Sequence, residues 1–306
     1  QISYQEINSM IDFKLIKYEK TLSNRYICNF DFCFRKDKII DFFQENSFAW
    51  SELYSSEIIV LPVWKNEFGL RLWKDPNPLK KIVEEKIKSH DGLINLIYPK
   101  DKIGVLRSID ANLAYNGDQK SISRVIERSG ASRALNIIFE LEKITNFDNE
   151  NYKNWLNSNN EIKNPHKISV IAFIHNKNGV RLNSFFKKYT FINIENLSDQ
   201  ISLLLDEVIF HLEENWKKAN ILMGNNTDDV QIFISVDKIK NWVKALNKLN
   251  SLPGIKKITT QKLTNEGAFV SVTVEGGLNR FISIVFENKL PFSGPKEKLI
   301  LNSGKL

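Results

Sequence analysis

The 306-residue sequence has only two cysteines, two methionines and four histidines. Two cysteines exclude a disulfide framework and a zinc-finger spacing. Cys28 and Cys33 lie five residues apart in "YICNFDFCF". In a regular strand they face opposite sides, so they are expected to be buried free thiols that do not pair, and they leave the compartment undecided. No apolar run approaches the roughly 20 residues that cross a bilayer. Chemical motifs are missing too: there is no G-x-S-x-G elbow, P-loop, H-E-x-x-H pair or G-x-G-x-x-G turn. His90, His166, His175 and His211 fall in different elements without partners at ligand spacing, and are read as surface or packed structural residues. Glu84–Glu85 and Glu213–Glu214 fall on lysine-rich helix faces, where solvated charge is the default reading. "EGGLNR" (Glu275–Arg280) opens a helix whose N-terminus can hold an anion, but glycine pairs before helices are common turns. The sequence therefore names no catalytic, cofactor-binding or metal-binding residue.

What is present describes a folded protein. Hydrophobic residues make up 42% and charged residues 26%, and the length suffices for two compact domains. A net charge of +7 would favour an anionic partner such as nucleic acid, an acidic protein or a lipid headgroup surface. The lysines form no dense block, however, and dispersed charge serving solubility is the preferred reading. The chain opens on Gln1 without a basic-then-apolar leader, which is read as a processed or trimmed product.

Three regions follow from the patterning. Residues 1–52 contain a hairpin, Asp12–Lys20 with Arg25–Phe34, and a helix over Lys36–Glu45. Tyr26, Cys28, Phe30, Phe32 and Phe34 share one strand face. So thin a module predicts a sheet edge or an apolar face left under-covered, as if its first half lay upstream. Residues 53–222 alternate strand and helix: Glu57–Val63, a helix over Pro78–Lys88 capped by Asn77, Leu93–Tyr98, a helix over Asp118–Ser129, and Ala134–Leu141. A polar insertion at 146–163, a hairpin turning at Gly179 and a long helix over Ser198–Lys218 complete it. This order argues for an α/β sandwich on a largely parallel sheet. Residues 226–306 read βαββαβ, with Asp237 capping the first helix, the order of a ferredoxin-like four-stranded unit. Its alternation points Val230, Ile232 and Ile234 at the helices and leaves Phe233, Ser235, Phe269, Ser271 and Thr273 on the open face.

Two places are candidates for interaction. "IIVLPVWKNEFGLRLWKDPNPLKK" (Ile58–Lys81) combines a buried strand, an exit from the sheet at "KNEFG" and a stiff approach to a helix. Trp64 and Trp73 are expected to cover the strand ends. Such ends are also where ligands and partners sit in α/β sheets, so both are candidate contact residues. On the C-terminal sheet, "IFIS" (Ile232–Ser235) and "AFVSV" (Ala268–Val272) resemble parts of the two short motifs of RNA-recognition domains. Phe233 and Phe269 would then be neighbours able to stack bases. Asn265, Glu266 and Gly267 depart from that pattern, and plain packing or a protein contact is preferred over RNA.

A wider resemblance covers nearly the whole chain. "VLPVW", "LW", "DPNP", "GLINLIYP", "NGD" and "SGASRALNIIF", followed by "ENWKKA" and "VDKIKNWVKALNKLNSLPGIKKI", resemble in order and spacing an uncharacterised bacterial family, domain of unknown function two thousand and sixty-six. Leu79 departs from it, at a position where that family tends to carry Trp. The resemblance implies a cell-envelope, periplasmic protein. Residues 55–218 also resemble the amino-terminal α/β domain of TolB, a docking module. The expectation is a non-enzymatic envelope protein without a cofactor, acting through protein–protein contacts. The alternative is an RNA- or anion-binding protein using Phe233 and Phe269.

Overall fold

The structure, a computed structural model, describes residues 2–73, 76–99, 103–144, 165–222, 227–236, 238–295 and 298–306. The expected insertion at 146–163 and the Asp237 cap lie outside the described residues. The chain divides into two compact units. One comprises Glu52–Ala219 with Val285–Leu290; the other comprises Gln1–Ser51, Asn220–Ile284 and Pro291–Leu306.

The first of these units is built on strand β3 (Ile58–Asn66), whose alternating side chains are apolar on both faces. Ile58, Val60 and Trp64 pack with Leu135 and Phe139 against Leu79 and Val83 of α3 (Leu79–Ser89) and Leu204, Leu205 and Val208 of α7 (Leu197–Ala219). Ile59, Leu61 and Val63 pack with Ile138 on the opposite side, against Ala114 of α5 (Ala111–Asn116) and Ile122, Val125 and Ile126 of α6 (Gln119–Ser129). A strand covered on both sides needs this continuous apolar run. At the start of α6, the Asp118 carboxylate accepts the Ser121 amide at 2.8 Å, as the expected cap should.

The sheet is mixed where the sequence suggested a largely parallel one. Its order is β4-β3-β6-β7-β8, with β5 also paired to β3. β5 (Leu96–Ile97) and β6 (Arg133–Lys143) run parallel to β3. "KNEFG" does not leave the sheet: it turns the chain back as β4 (Gly69–Arg71), antiparallel to β3. The hairpin of β7 (Pro165–His175) and β8 (Arg181–Asn193) adds two more antiparallel strands beyond β6. That hairpin turns at Gly179, with a φ of +74° and an added Cβ only 2.0 Å from the Gln119 carbonyl oxygen. A larger residue would be strained there and would also clash.

Asn77 locks the end of β3 to the start of α3. Its Oδ1 accepts the Leu79 amide at 2.9 Å, the capping role expected of it, and its Nδ2 donates to the carbonyls of Pro62, at 3.3 Å, and Leu72. A residue's N–H and C=O lie on the same side of a strand, so the missing Pro62 donor falls where β3 has no strand neighbour among the described residues, between its β5 and β4 pairings.

One correction concerns buried charge. Glu213 does not lie on a solvent face of α7; it is 7% exposed and accepts the Ile94 amide at 2.8 Å and a His90 contact at 3.0 Å. The apolar stripe of α7 is wide enough, from Ile201 to Leu212, to draw the next residue under cover. Within the same unit, Glu287 at the end of α9 (Gly277–Glu287) accepts the Ser56 amide at 2.7 Å, the Ser56 hydroxyl at 2.8 Å and the Arg133 guanidinium. The Arg133 guanidinium lies 5.5 Å from the Trp216 ring and 5.2 Å from the Phe286 ring. Next to it, the Lys289 ammonium holds the Glu57 carboxyl below its usual range.

The other unit opens with α1 (Tyr4–Met10), where Ser3 and Glu6 form a reciprocal cap. The hairpin of β1 (Ile11–Leu22) and β2 (Arg25–Phe34) and helix α2 (Lys36–Glu45) follow. Phe30, Phe32 and Phe34 remain 41%, 47% and 47% exposed, which is the under-covered face expected of this module. The cysteines are free, but Cys28 is half-buried and Cys33 exposed, because no described layer covers the hairpin.

The same unit carries a five-stranded sheet in the order β10-β11-β9-β13-β12. Its strands are β9 (Thr227–Ser235), β10 (Ile255–Thr264), β11 (Gly267–Glu275), β12 (Phe292–Ser293) and β13 (Leu299–Asn302). Val230, Ile232, Ile234, Val270 and Val272 are buried, as are Ala245 and Leu249 of α8 (Ile239–Asn250) and Phe281 and Ile284 of α9. The expected βαββαβ order needs one correction. A final strand reached by a helical crossover from β11 would run antiparallel to β9, yet β13 runs parallel to it. The crossover through α9 ends on the short β12, and β13 is a hairpin return placed between β12 and β9.

Candidate functional site

β5 and β6 flank β3 on opposite sides, so the chain leaves β3, visits one neighbour through α3 and then crosses to the other through α4 (Ile103–Leu106), α5 and α6. The carboxyl ends of β3 and β6 therefore form a topological switch point, where an open α/β sheet leaves a crevice. A cleft of about 600 Å³ lies at that point. Trp64, Phe68, Pro76, Pro78, Ile194 and Leu197 give it apolar walls, and Lys65, Glu140, Glu142, Lys143 and His166 stand around them.

The polar groups at the strand ends are organised. Lys65 Nζ donates to the Tyr115 hydroxyl at 2.8 Å and to Glu140 at 3.2 Å, and Tyr115 donates to Glu140 at 2.7 Å. The Lys65 ammonium also lies 4.8 Å from the Tyr115 ring centroid. The Tyr115 hydroxyl, with Glu140 behind it, holds the Lys65 ammonium above the usual lysine range. The three groups satisfy one another, so the cluster fixes the rim and leaves the apolar walls as the surface that a partner would meet.

The four residues named from the sequence fall in three places. Trp64 is 3% exposed and forms the cleft floor, packed into the core on the α3 and α7 side. Trp73 is 7% exposed, belongs to the core on the opposite face of the sheet and does not line the cleft. Its indole nitrogen is buried and finds no acceptor among the described residues. Phe68, 75% exposed on the turn between β3 and β4, is the aromatic that the cleft presents to solvent. Reading "KNEFG" as an exit from the sheet hid it; reading the segment as a tight hairpin would have placed it at a tip.

Phe233 and Phe269 are brought together on the open face of the other unit, with ring centroids 5.0 Å apart and planes at 58°. They occupy one cross-strand row, Lys262–Phe269–Phe233–Ile300. Phe269 is 43% exposed. Phe233 lies over Gly267, where an added Cβ would stand 2.8 Å from its ring and 2.1 Å from the Ile234 carbonyl oxygen. Ser271, expected on the open face, is 6% exposed because Gln231 covers it and donates to its hydroxyl at 3.2 Å.

Among the described residues no group of three or more His, Cys, Asp or Glu side chains is placed to hold a metal ion, and no helix is long and apolar enough to cross a membrane. No protein-family model and no curated protein matches the sequence. Among solved structures, the chain is similar to lipoprotein GNA1162 from Neisseria meningitidis, at 12% identity and a TM-score of 0.29, over 51% of this chain and 97% of that one.

Proposed function

We propose that the protein is a non-enzymatic docking component of the cell envelope, acting in the periplasm through protein–protein contacts. In this reading the Glu52–Ala219 unit is a TolB-like docking module, and the C-terminal sheet is a modified ferredoxin-like unit. The observation that carries the proposal is the switch-point cleft: apolar walls, an exposed Phe68 at its lip and a rim where Lys65 and Glu140 pair. Apolar walls with an exposed aromatic at the lip offer a place for the apolar side chains of a protein partner.

The test is site-specific photocrosslinking in envelope fractions. A photoreactive residue replacing Phe68 should trap one defined protein, whereas the same residue at Ile239, 83% exposed and remote in sequence, should not. Equal labelling from both positions, or recovery only with ribosomes, removes the proposal.

The paired rings of Phe233 and Phe269, with Lys262 in the same row, favour a second reading: single-stranded RNA or another anion on the open sheet face. Titration of labelled RNA at two salt concentrations separates the two. RNA binding requires salt-sensitive affinity that Phe269→Ala abolishes.

A further inference from the structure

The hairpin β1–β2 forms a two-stranded sheet by itself, so each strand has a free outer edge among the described residues. The edges are not equivalent. β1 is interrupted by irregularities between Ile11 and Phe13 and between Ile16 and Tyr18, whereas β2 runs through its pairing without an inserted residue. The outer edge of β2 is therefore the uninterrupted one. It has no proline, and Arg25 and Asp31 are its only charges. The edge strand β10 is protected by comparison, with Lys256, Lys257 and Lys262 and two register shifts.

The two-residue turn makes Leu22–Arg25 the closing hydrogen-bonded pair. Strict alternation then turns the amides and carbonyls of Tyr26, Cys28 and Phe30 toward the free edge. Arg25 and Asp31 lie on one face, each three residues from Cys28. A two-fold axis at Cys28 sets Arg25 of one copy opposite Asp31 of the other in non-hydrogen-bonded pairs, where side chains approach most closely. No other axis within the strand matches these charges. On the opposite face the same register sets Tyr26 against Phe30, extending the exposed aromatic surface into a wider sheet. Asp31 already meets Lys17 at 3.1 Å through one oxygen, and its second oxygen, without a partner among the described residues, can accept the guanidinium.

We propose that the β2 edge is a self-association surface: a second copy of this chain adds antiparallel across it, with Cys28 on the two-fold axis, and the two hairpins make one four-stranded sheet. The contact is isologous, so each copy supplies the same residues to it. It is independent of the cleft.

Zero-length oxidation of the full 306-residue chain tests the register. Facing residues of a hydrogen-bonded pair have Cα atoms about 5.5 Å apart, within disulfide reach. Two Cys28 thiols can then lose two protons and two electrons to copper–phenanthroline and oxygen. A disulfide dimer should form in wild type and in Cys33→Ser, and disappear in Cys28→Ser. Sedimentation should show Asp31→Arg raising the dimer dissociation constant about tenfold, and Arg25→Asp combined with Asp31→Arg restoring it. Circular dichroism confirms that the variants are folded. A monomer at every concentration, a Cys33–Cys33 link in place of Cys28, or a charge swap that fails to restore association overturns the proposal, whether the edge is filled by another strand or by nothing.

Discussion

The Asn77 side-chain amide donates to the Pro62 carbonyl at 3.3 Å while its oxygen caps α3 through the Leu79 amide at 2.9 Å. One buried side chain thus covers an unpaired carbonyl of β3 and an open donor of the helix that follows. Asn77→Ala leaves both groups without partners and should lower stability by about 2–3 kcal/mol in urea denaturation. Asn77→Asp keeps the cap but cannot donate. It should also destabilise, by adding a buried carboxylate beside two carbonyls.

The Lys65–Tyr115–Glu140 cluster should respond as a unit. In Tyr115→Phe the lysine loses the contact that raises its pKa most, so its titration, followed by NMR of the side-chain carbons, should move down toward the ordinary lysine value. The sign follows from linkage: a raised folded pKa favours the folded state below the unfolded lysine pKa, and this contribution disappears as pH rises through the folded value. An unchanged Lys65 titration in Tyr115→Phe would show that Glu140 alone sets it.

His175 is fully buried, with Nδ1 facing the Gly179 carbonyl oxygen at 3.1 Å, and burial pushes its pKa below the ordinary value of 6.5. The unfolded chain therefore takes up the proton first as pH falls. Stability from neutral His175 is complete above 6.5 and declines as pH drops below that value toward the lower folded pKa. Urea midpoints at neutral pH and at about pH 5 should differ more in wild type than in His175→Gln. The charged groups facing it include Arg181, which disfavours the imidazolium further.

Gly267→Ala should be costly although it lies beside a turn. Its added Cβ would meet the Ile234 carbonyl oxygen at 2.1 Å and the Phe233 ring at 2.8 Å. A loss of about 2–4 kcal/mol is expected. Phe269→Ala, at a 43% exposed position, should cost only about 1 kcal/mol. That contrast makes Phe269 the clean probe of the open face.

The parts of the fold legible in the sequence were those where one physical signal dominated. Continuous apolar runs located β3 and β6, apolar alternation located β9 and β11, and cap chemistry placed the helix starts at Asn77 and Asp118. Pairing direction was less accessible. "KNEFG" carries the same turn residues whether the chain leaves the sheet or folds back as β4, and only the partner strand decides. The parallel sense of β13 depended on β12, a two-residue strand too short to show any periodicity. Glu213 was misplaced because two adjacent acids on a lysine-rich helix look solvated, and the wide packing stripe of α7 is a tertiary property. The cleft inherited this limit. Trp64 was named at the strand end, but Phe68 became visible only once the hairpin was known.

The Glu287–Arg133 pair also has a consequence during synthesis. Arg133 and Ser56 are translated long before their carboxylate partner, and Val285–Leu290 completes the unit formed by Glu52–Ala219. On the ribosome, that unit must wait with a partly buried guanidinium unmatched until Glu287 has emerged. A nascent chain arrested after Ala219 should therefore be more protease-sensitive than one released beyond Leu290, and Glu287→Gln should keep the finished protein close to that incomplete state.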